Sequence, residues 1–185
     1  MSEEQALITA LKSEQDRDKA FGQLVTRYKE RLYWHIRNMV LDHGDTDDIL
    51  QNTFVKVFKH IDSFKGESKI YTWMYRSATN ESLSFLKRKA RRQNLTLDEL
   101  KDKAIEGLES DVYFQGGRIE IQLQRAISTL PEKQQLVFNM KYFGQHTFEE
   151  LSDILETSVG GLKSNYHHAV KKITAYINSN DADLI

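Results

Sequence analysis

The sequence predicts an all-α protein made of two small helical domains joined by a linker. The chain has one proline and nine glycines among its 185 residues, so few positions interrupt a helix. Its apolar residues recur every three to four positions, which is the spacing of one helix face, and no stretch shows the sustained alternation of a strand. A hydrophobic fraction of 39% with 29% charged residues is ordinary for a folded protein.

Four helices are predicted in the N-terminal half. A short first helix is followed by a long one that ends near Leu41, where the stretch DHGDTDD breaks the apolar pattern. Thr46 is predicted to cap the third helix, which ends near residues 64–66. The fourth helix is predicted to run from about Ile70 to Arg92.

The composition changes after Gln93. Residues 94–117 carry six acids against two bases, which is typical of a linker, and they divide the chain into domains 1–93 and 118–185. Leucines and isoleucines are too numerous there for a fully solvated tether. Part of this segment is therefore expected to form a helical turn or to dock against a partner.

Four short helices are predicted in the C-terminal domain. Pro131 opens the second of them, because proline suits the first turn of a helix. The spacing from Thr147 to Glu150 is that of a capping box and opens the third. Ser158 then caps a last helix that is predicted to reach about Ile177.

Composition also excludes several classes of site. The chain has no cysteine, so disulfides, thiolate metal sites and cysteine nucleophiles are excluded. No apolar run approaches the ~20 residues of a membrane span, and the N-terminus lacks the pattern of a signal peptide. We expect a cytoplasmic protein without membrane insertion.

Positive charge is concentrated between Lys56 and Arg92. This segment has ten basic residues against three acidic ones, a net charge of +7, although the whole chain is at −1. Aromatic rings are interleaved with cations at its centre: Lys69, Tyr71, Trp73, Tyr75 and Arg76. Helical aromatics are more often core than contact surface. The concentration of positive charge favours a contact surface over a core position for these rings, since basic charge beside stackable rings is typical of a nucleic-acid surface.

The last two predicted helices have the form of a helix-turn-helix, whose second helix enters the major groove of DNA. The predicted apolar seam of that helix is Val159, Leu162, Tyr166, Val170 and Ile173. Spacings of three, four and seven place Gly160, Lys163, Ser164 and His167 together on an outward face. Because residues 160–173 contain no acid, this face favours DNA over a merely solvated helix hairpin.

Two long runs resemble one protein family. The run DTDDILQNTFVKVFKHIDSFKGESKIYTWMYRSATNESLSFLKRKARR resembles region 2 of the bacterial RNA polymerase sigma factors of the sigma-70 family, and LPEKQQLVFNMKYFGQHTFEELSDILETSVGGLKSNYHHAVKKI resembles their region 4. They stand in the family's order, with no room for region 3 between them. The combination resembles the minimal extracytoplasmic-function group. It implies a factor that directs core polymerase to promoters and promotes DNA melting, with core RNA polymerase, promoter DNA and an anti-sigma factor as partners.

The resemblance also implies residue roles. Contact with the polymerase clamp is implied for Asp48, Gln51 and Asn52, whose alternative is a solvated helix start. Recognition and melting of the minus-ten element is implied for Lys69, Ile70, Tyr71, Trp73, Arg76, Asn80, Lys87 and Arg88. There, rings would stack on an unpaired base, cations would hold phosphates and the Asn80 amide would read the base edge.

Recognition of the minus-thirty-five element is implied for the last helix, at Gly160, Lys163, Ser164, His167, His168 and Lys171. The family commonly has Gly-Thr-Val and several arginines at the start of this helix. Here Gly160, Gly161 and Leu162 stand instead, with Asn165 and His168 at positions where arginine is frequent. Fewer permanent cations predict weaker anchoring to phosphates, or a different sequence preference.

Two other classes of protein remain open from the sequence. A free-standing helix-turn-helix regulator explains the C-terminal third but leaves the +7 segment unexplained. An enzyme would need a metal cluster built from Asp42, His43, Asp45, Asp47 and Asp48. We expect no enzyme, no cofactor and no metal, because acidic helix caps are common and no second ligand group is identifiable.

Overall fold

The computed structural model describes residues 2–180, which form nine α-helices and two short 3₁₀ helices, without a strand among them. The helices are α1 (Glu3–Lys12), α2 (Arg17–Val40), α3 (His43–His60), α4 (Ile70–Arg92), α5 (Leu97–Glu106), α6 (Arg118–Ser128), α7 (Glu132–Tyr142), α8 (Phe148–Leu155) and α9 (Val159–Ser179). The all-α prediction, with a helix-turn-helix formed by α8 and α9, is confirmed. In this described part of the chain, no helix is long and apolar enough to cross a membrane.

The starts of the helices are fixed by local caps. The capping box of Thr147 and Glu150 and the cap from Ser158 to the Gly161 amide are present as predicted. The cap predicted at Thr46 is wrong. Helix α3 begins one turn earlier, because Asp42 Oδ1 accepts a hydrogen bond from the Asp45 amide at 2.8 Å. Thr46 is fully buried within the helix.

The N-terminal core lies between α2, α3 and α4, with α1 packed on α2. Its largest side chains are fully buried, including Leu24, Leu32, Ile49 and Met74. Burial of each such side chain stabilises the fold by roughly 1.5–3 kcal/mol relative to exposure. The apolar stripe of the long helices therefore determines which face of each turns inward.

The C-terminal core has its own cluster, formed by α6, α7 and α9. Along α9, Leu162, Ala169 and Ile173 are buried and Tyr166 is half-buried. The prediction that Val170 belongs to this seam is wrong, since 38% of that residue is exposed. Ala169 occupies that turn instead, because the inward face follows spacings of four, three and four from Leu162.

The acidic segment 94–117 contains helix α5, whose start is closed by a capping box between Thr96 and Glu99. Its apolar residues are buried as a small cluster in which Ile105 and Leu108 pack with Ile121 of α6. These leucines and isoleucines are among the residues whose number predicted that the segment is more than a solvated tether. The segment is folded against the helices that flank it.

The N-terminal helices α1–α4 and the C-terminal helices α6–α9 also contact each other. Helix α4 packs on α8, and α2 packs on α7. One apolar cluster contains Ile70 and Met74 of α4 together with Leu151 and Ile154 of α8. In this arrangement the first helix of the helix-turn-helix covers part of the aromatic segment of α4.

Candidate nucleic-acid and polymerase interfaces

The outward face of α9 is open to solvent over its whole predicted length. All six residues of the implied minus-thirty-five set are exposed: Gly160, Lys163, Ser164, His167, His168 and Lys171. Helix α9 contains no acid, so no carboxylate of its own opposes a phosphate backbone. The Lys163 ammonium lies 5.8 Å from the centre of the Phe148 ring of α8. This face can reach base edges in a major groove while its cations meet phosphates.

The helix-turn-helix is held in shape by local contacts. Glu156 adopts a left-handed conformation, with φ of 53°, and ends α8. Phe148 packs edge-on against Tyr166 of α9 at 5.9 Å between ring centres. The Asn165 amide donates to the Gly161 carbonyl oxygen at 3.0 Å and so turns back onto its own helix. Asn165 is therefore not presented on the face that carries Lys163.

Apart from Arg76, the implied minus-ten residues, which lie in α4 and at its N-cap Lys69, divide into two groups. Lys69, Asn80, Lys87 and Arg88 are exposed. Ile70 and Tyr71 are buried, and Trp73 is half-buried against Phe64 with 5.2 Å between their ring centres. The first group is accessible to DNA in this arrangement, although Arg88 also forms an ion pair with Glu81, whereas the second group is covered.

Tyr71 is covered by the turn between α7 and α8. Its hydroxyl hydrogen-bonds His146 Nδ1, and His146 is only 1% exposed. Burial lowers the pKa of His146 to about 4, so this imidazole is neutral at neutral pH. Burial also raises the pKa of the Tyr71 hydroxyl. The Tyr75 ring lies 4.9 Å from the His146 ring, which completes a buried aromatic cluster.

Arg76 is occupied by the end of α8. Its guanidinium donates to the Asp153 carbonyl oxygen at 2.7 Å and to the Ile154 carbonyl oxygen at 3.4 Å. The same group forms an ion pair with the Glu156 carboxylate at 3.1 Å. Arg76, for which the resemblance implies a role in DNA contact, is thus satisfied here by the carboxyl end of another helix.

The residues implied in polymerase contact lie together on α3. Asp48, Gln51 and Asn52 are exposed and line one open groove with Phe85 and three arginines of α4: Arg88, Arg91 and Arg92. An acidic and amide surface therefore borders the basic end of α4. The groove therefore presents a negative side chain and several positive ones to a protein partner.

One buried carboxylate organises the basic segment, and sequence reasoning missed it. Glu81 is 8% exposed and pairs with both Lys56 and Arg88. Burial alone would raise the pKa of Glu81, but the hydrogen bonds and charges of those two cations hold it below its ordinary value. Glu81 neutralises part of the +7 charge within the fold.

The acids between Asp42 and Asp48 do not converge on a metal site. Asp42 caps α3, Asp45 pairs with Lys89 of α4, and Asp47 lies 3.4 Å from His43. Among residues 2–180, no group of three or more histidines or acids could hold a metal ion. The acids have separate roles at helix ends and in ion pairs.

His146 and Glu156 were also missed by sequence reasoning, although each contacts a residue of the implied minus-ten set. A single histidine before a capping box and a single acid after a helix carry no pattern of their own. Their contacts with Tyr71 and Arg76 form only because α8 and the turn before it pack against α4.

Two family models match the chain. The model described as Sigma-70 region 2 matches residues 24–92, and the model described as Sigma-70, region 4 matches residues 120–173. A relative from Salmonella typhimurium, the ECF RNA polymerase sigma-E factor, is 27% identical over 170 residues that cover 84% of this chain and 85% of the relative.

Solved structures share the fold. CnrH, in complex with the cytosolic domain of CnrY, has a TM-score of 0.69 at 20% identity, covering 96% of this chain and 98% of that chain. The sigma factor RpoE from Bartonella quintana, in complex with the anti-sigma factor NepR, has a TM-score of 0.65 at 17% identity, covering 86% of this chain and 98% of that chain.

Proposed function

Because the chain belongs to the sigma-70 family, as a sigma factor of the extracytoplasmic-function group, we propose that it directs core RNA polymerase to specific promoters and promotes the melting of their DNA. One observation carries the proposal. The chain matches both region 2 and region 4, in the family's order, and each match contains a helix with exposed cations, α4 in the first and α9 in the second.

Each helix is proposed to have a separate task. Helix α9 reads the minus-thirty-five element as duplex DNA, with Lys163 and His167 at base edges and Lys171 at phosphates. Helix α4 holds the unpaired strand of the minus-ten element, where the exposed Asn80 amide reads a base edge. The exposed face of α3 around Gln51 contacts the polymerase clamp.

The proposed partners are core RNA polymerase, promoter DNA and an anti-sigma factor. Both solved structures named above are complexes, one with the cytosolic domain of CnrY and one with the anti-sigma factor NepR. A protein inhibitor of that kind would have access to the implied polymerase and DNA residues that are exposed, among them Gln51, Asn80 and Lys163. Binding to RNA polymerase and to promoters would take place in the cytoplasm, and it requires no enzymatic activity of this chain.

A free-standing helix-turn-helix regulator is not favoured. That class would account for α8 and α9, which lie within the region 4 match. It does not account for residues 24–92, where the region 2 model covers α4 and most of α2 together with all of α3.

The test is reconstitution of the chain with core polymerase. Transcription of genomic fragments identifies the promoters that the holoenzyme uses, and the same promoters are then rebuilt with the minus-ten element already unpaired. Asn80→Ala is expected to remain weak on the unpaired template, because a contact to a flipped base is worth about 1–3 kcal/mol and is lost even when melting is no longer needed. Gln23→Ala, which removes an exposed amide of α2, is the matched control. Full rescue of Asn80→Ala on that template would show that this amide does not read the base.

A further inference from the structure

Helix α4 begins without a cap from its own neighbours in sequence. Its first residue, Ile70, follows Lys69, whose side chain makes no capping hydrogen bond. The Ile70 amide instead donates to Glu4 Oε1 of α1 at 2.7 Å, across 66 residues of chain. A carboxylate is favourable at this position, because the first amides of a helix have no intrahelical partner and carry partial positive charge. Helix α1 therefore caps the helix to which the unpaired strand is assigned.

The other end of α1 holds the start of the loop before α4, residues 64–69. Lys12 Nζ donates to the Phe64 carbonyl oxygen at 2.6 Å. The Phe64 ring is buried and its centre lies 5.2 Å from that of Trp73. Glu4 and Lys12 are about 12 Å apart along the axis of α1. A single helix therefore fixes both ends of the loop.

The loop itself has few contacts that could hold its shape. Residues 65–69 are all exposed, and Gly66 has a left-handed φ of 74°. Within the described part of the chain, the only hydrogen bond between two residues of 65–69 runs from the Ser68 hydroxyl to the Lys69 carbonyl oxygen, at 3.5 Å. Because segments with few buried contacts open most easily, the conformation of this loop depends on its two ends.

We propose that Glu4 and Lys12 are positioning residues for capture of the unpaired strand: they hold the loop before α4 in one conformation and so place the exposed Lys69 for DNA. The proposal rests on the proposed function, which assigns Lys69 to the minus-ten strand. It extends that function to α1, which lies outside the two family-model matches, 24–92 and 120–173. Neither Glu4 nor Lys12 is assigned a contact with DNA.

The charge of Glu4 gives the test a sign. Glu4 and Lys69 line the same groove, so removal of the acid in Glu4→Ala would by electrostatics alone strengthen binding to DNA. Loss of the cap has the opposite effect, because only a fraction of the loops would then be in the binding conformation. Glu4→Gln keeps an oxygen acceptor for the Ile70 amide without the charge. Glu14→Ala is the matched control, since it removes an exposed acid just beyond α1.

The measurement is binding of the reconstituted holoenzyme to a fluorescent single strand, the nontemplate strand of a minus-ten element from which it initiates. Glu4→Ala is expected to bind this strand about fivefold more weakly than wild type, the factor that corresponds to loss of one typical helix cap. Glu4→Gln and Glu14→Ala should bind it at least as tightly as wild type. All four proteins should bind a duplex that carries only the minus-thirty-five element equally, because α9 is remote from this change.

For Lys12, salt dependence separates positioning from a phosphate contact. Lys12→Met keeps the apolar stem of the side chain but removes the donor to the Phe64 carbonyl oxygen. It is expected to weaken strand binding by a similar factor at every salt concentration. A direct phosphate contact would instead lower the slope of log K against log salt concentration by about 0.7, and that result would overturn the positioning role of Lys12.

Failure of this proposal differs from failure of the proposed function. Unchanged or tighter strand binding by Glu4→Ala, with a wild-type holoenzyme that holds the strand, would overturn the positioning role and leave the proposed function standing. Equal weakening of Glu4→Ala on the strand and on the minus-thirty-five duplex, or Glu4→Gln as weak as Glu4→Ala, would also overturn it. A wild-type holoenzyme that neither holds the strand nor opens the promoter would overturn the proposed function and this proposal with it.

Discussion

The ion pair between Arg37 and Asp111 should determine how firmly the acidic segment is held to the N-terminal helices. Arg37 is only 5% exposed, its Nη2 donates to the Asp111 carboxylate, and its Nη1 has no hydrogen-bond partner among residues 2–180. Asp111→Ala would leave a buried guanidinium without its counter-charge. Removing one partner of a buried pair costs about 3–5 kcal/mol, and the free energy of unfolding is expected to fall by that amount.

The assay is urea denaturation of the full-length protein, followed by circular dichroism. Glu109→Ala, an exposed acid in the same segment, should change the free energy of unfolding by no more than about 0.5 kcal/mol. The double variant Arg37→Met, Asp111→Leu should recover most of the loss, because apolar side chains of similar size avoid the cost of the unpaired charge. A loss below about 1 kcal/mol in Asp111→Ala would refute the reasoning and show that this contact does not hold the segment.

The remaining predictions concern the two proposed interfaces and a buried histidine. Lys163→Ala should lower the binding free energy by about 1–3 kcal/mol on the preferred minus-thirty-five sequence and by less on other sequences, whereas Lys171→Ala should weaken binding evenly. Binding of the holoenzyme to a panel of promoter variants separates the two effects. Equal losses of affinity on every promoter for both variants would show that the base-reading face is not the one that carries Lys163. Asp48→Ala with Gln51→Ala should reduce recovery of core polymerase in a pull-down without lowering the melting temperature, and unchanged recovery would contradict the assignment. Burial lowers the pKa of His35 from 6.5 to about 3, so the unfolded state binds the proton more tightly and stability is lost as the pH falls below 6.5. That loss should reach about 2 kcal/mol near pH 5 and be absent from the pH profile of His35→Gln, and identical slopes for the two proteins would refute it.

Features that depend on neighbours in sequence were predicted well. The limits of α4, from Ile70 to Arg92, follow from an apolar period and from the break around Gly66. The start of α8 follows from the four-residue capping box at Thr147, and the exposed face of α9 follows from helical spacing. These signals act within one or two helical turns, so they can be recognised without knowledge of the rest of the chain.

The errors came from choices between residues of similar local merit. Asp42 and Thr46 are both good caps one turn apart, and the burial of Thr46 in the three-helix core decides between them. Val170 is more apolar than Ala169, yet the small side chain lies where α9 packs closely in its own core. In each case the packing of other helices outweighed the local preference.

The sequence by itself determined that this protein is helical, that it carries two separated segments with exposed cations, and which faces of α3 and α9 are exposed. Only the tertiary structure decided what covers the apolar stripe of α4. Tyr71 meets His146 across 75 residues and Arg76 meets Asp153 across 77, and neither pairing has a spacing that a local pattern can encode. A period of apolar residues specifies that a face is buried, but not against which helix, because the hydrophobic effect is non-directional and many apolar surfaces could satisfy it.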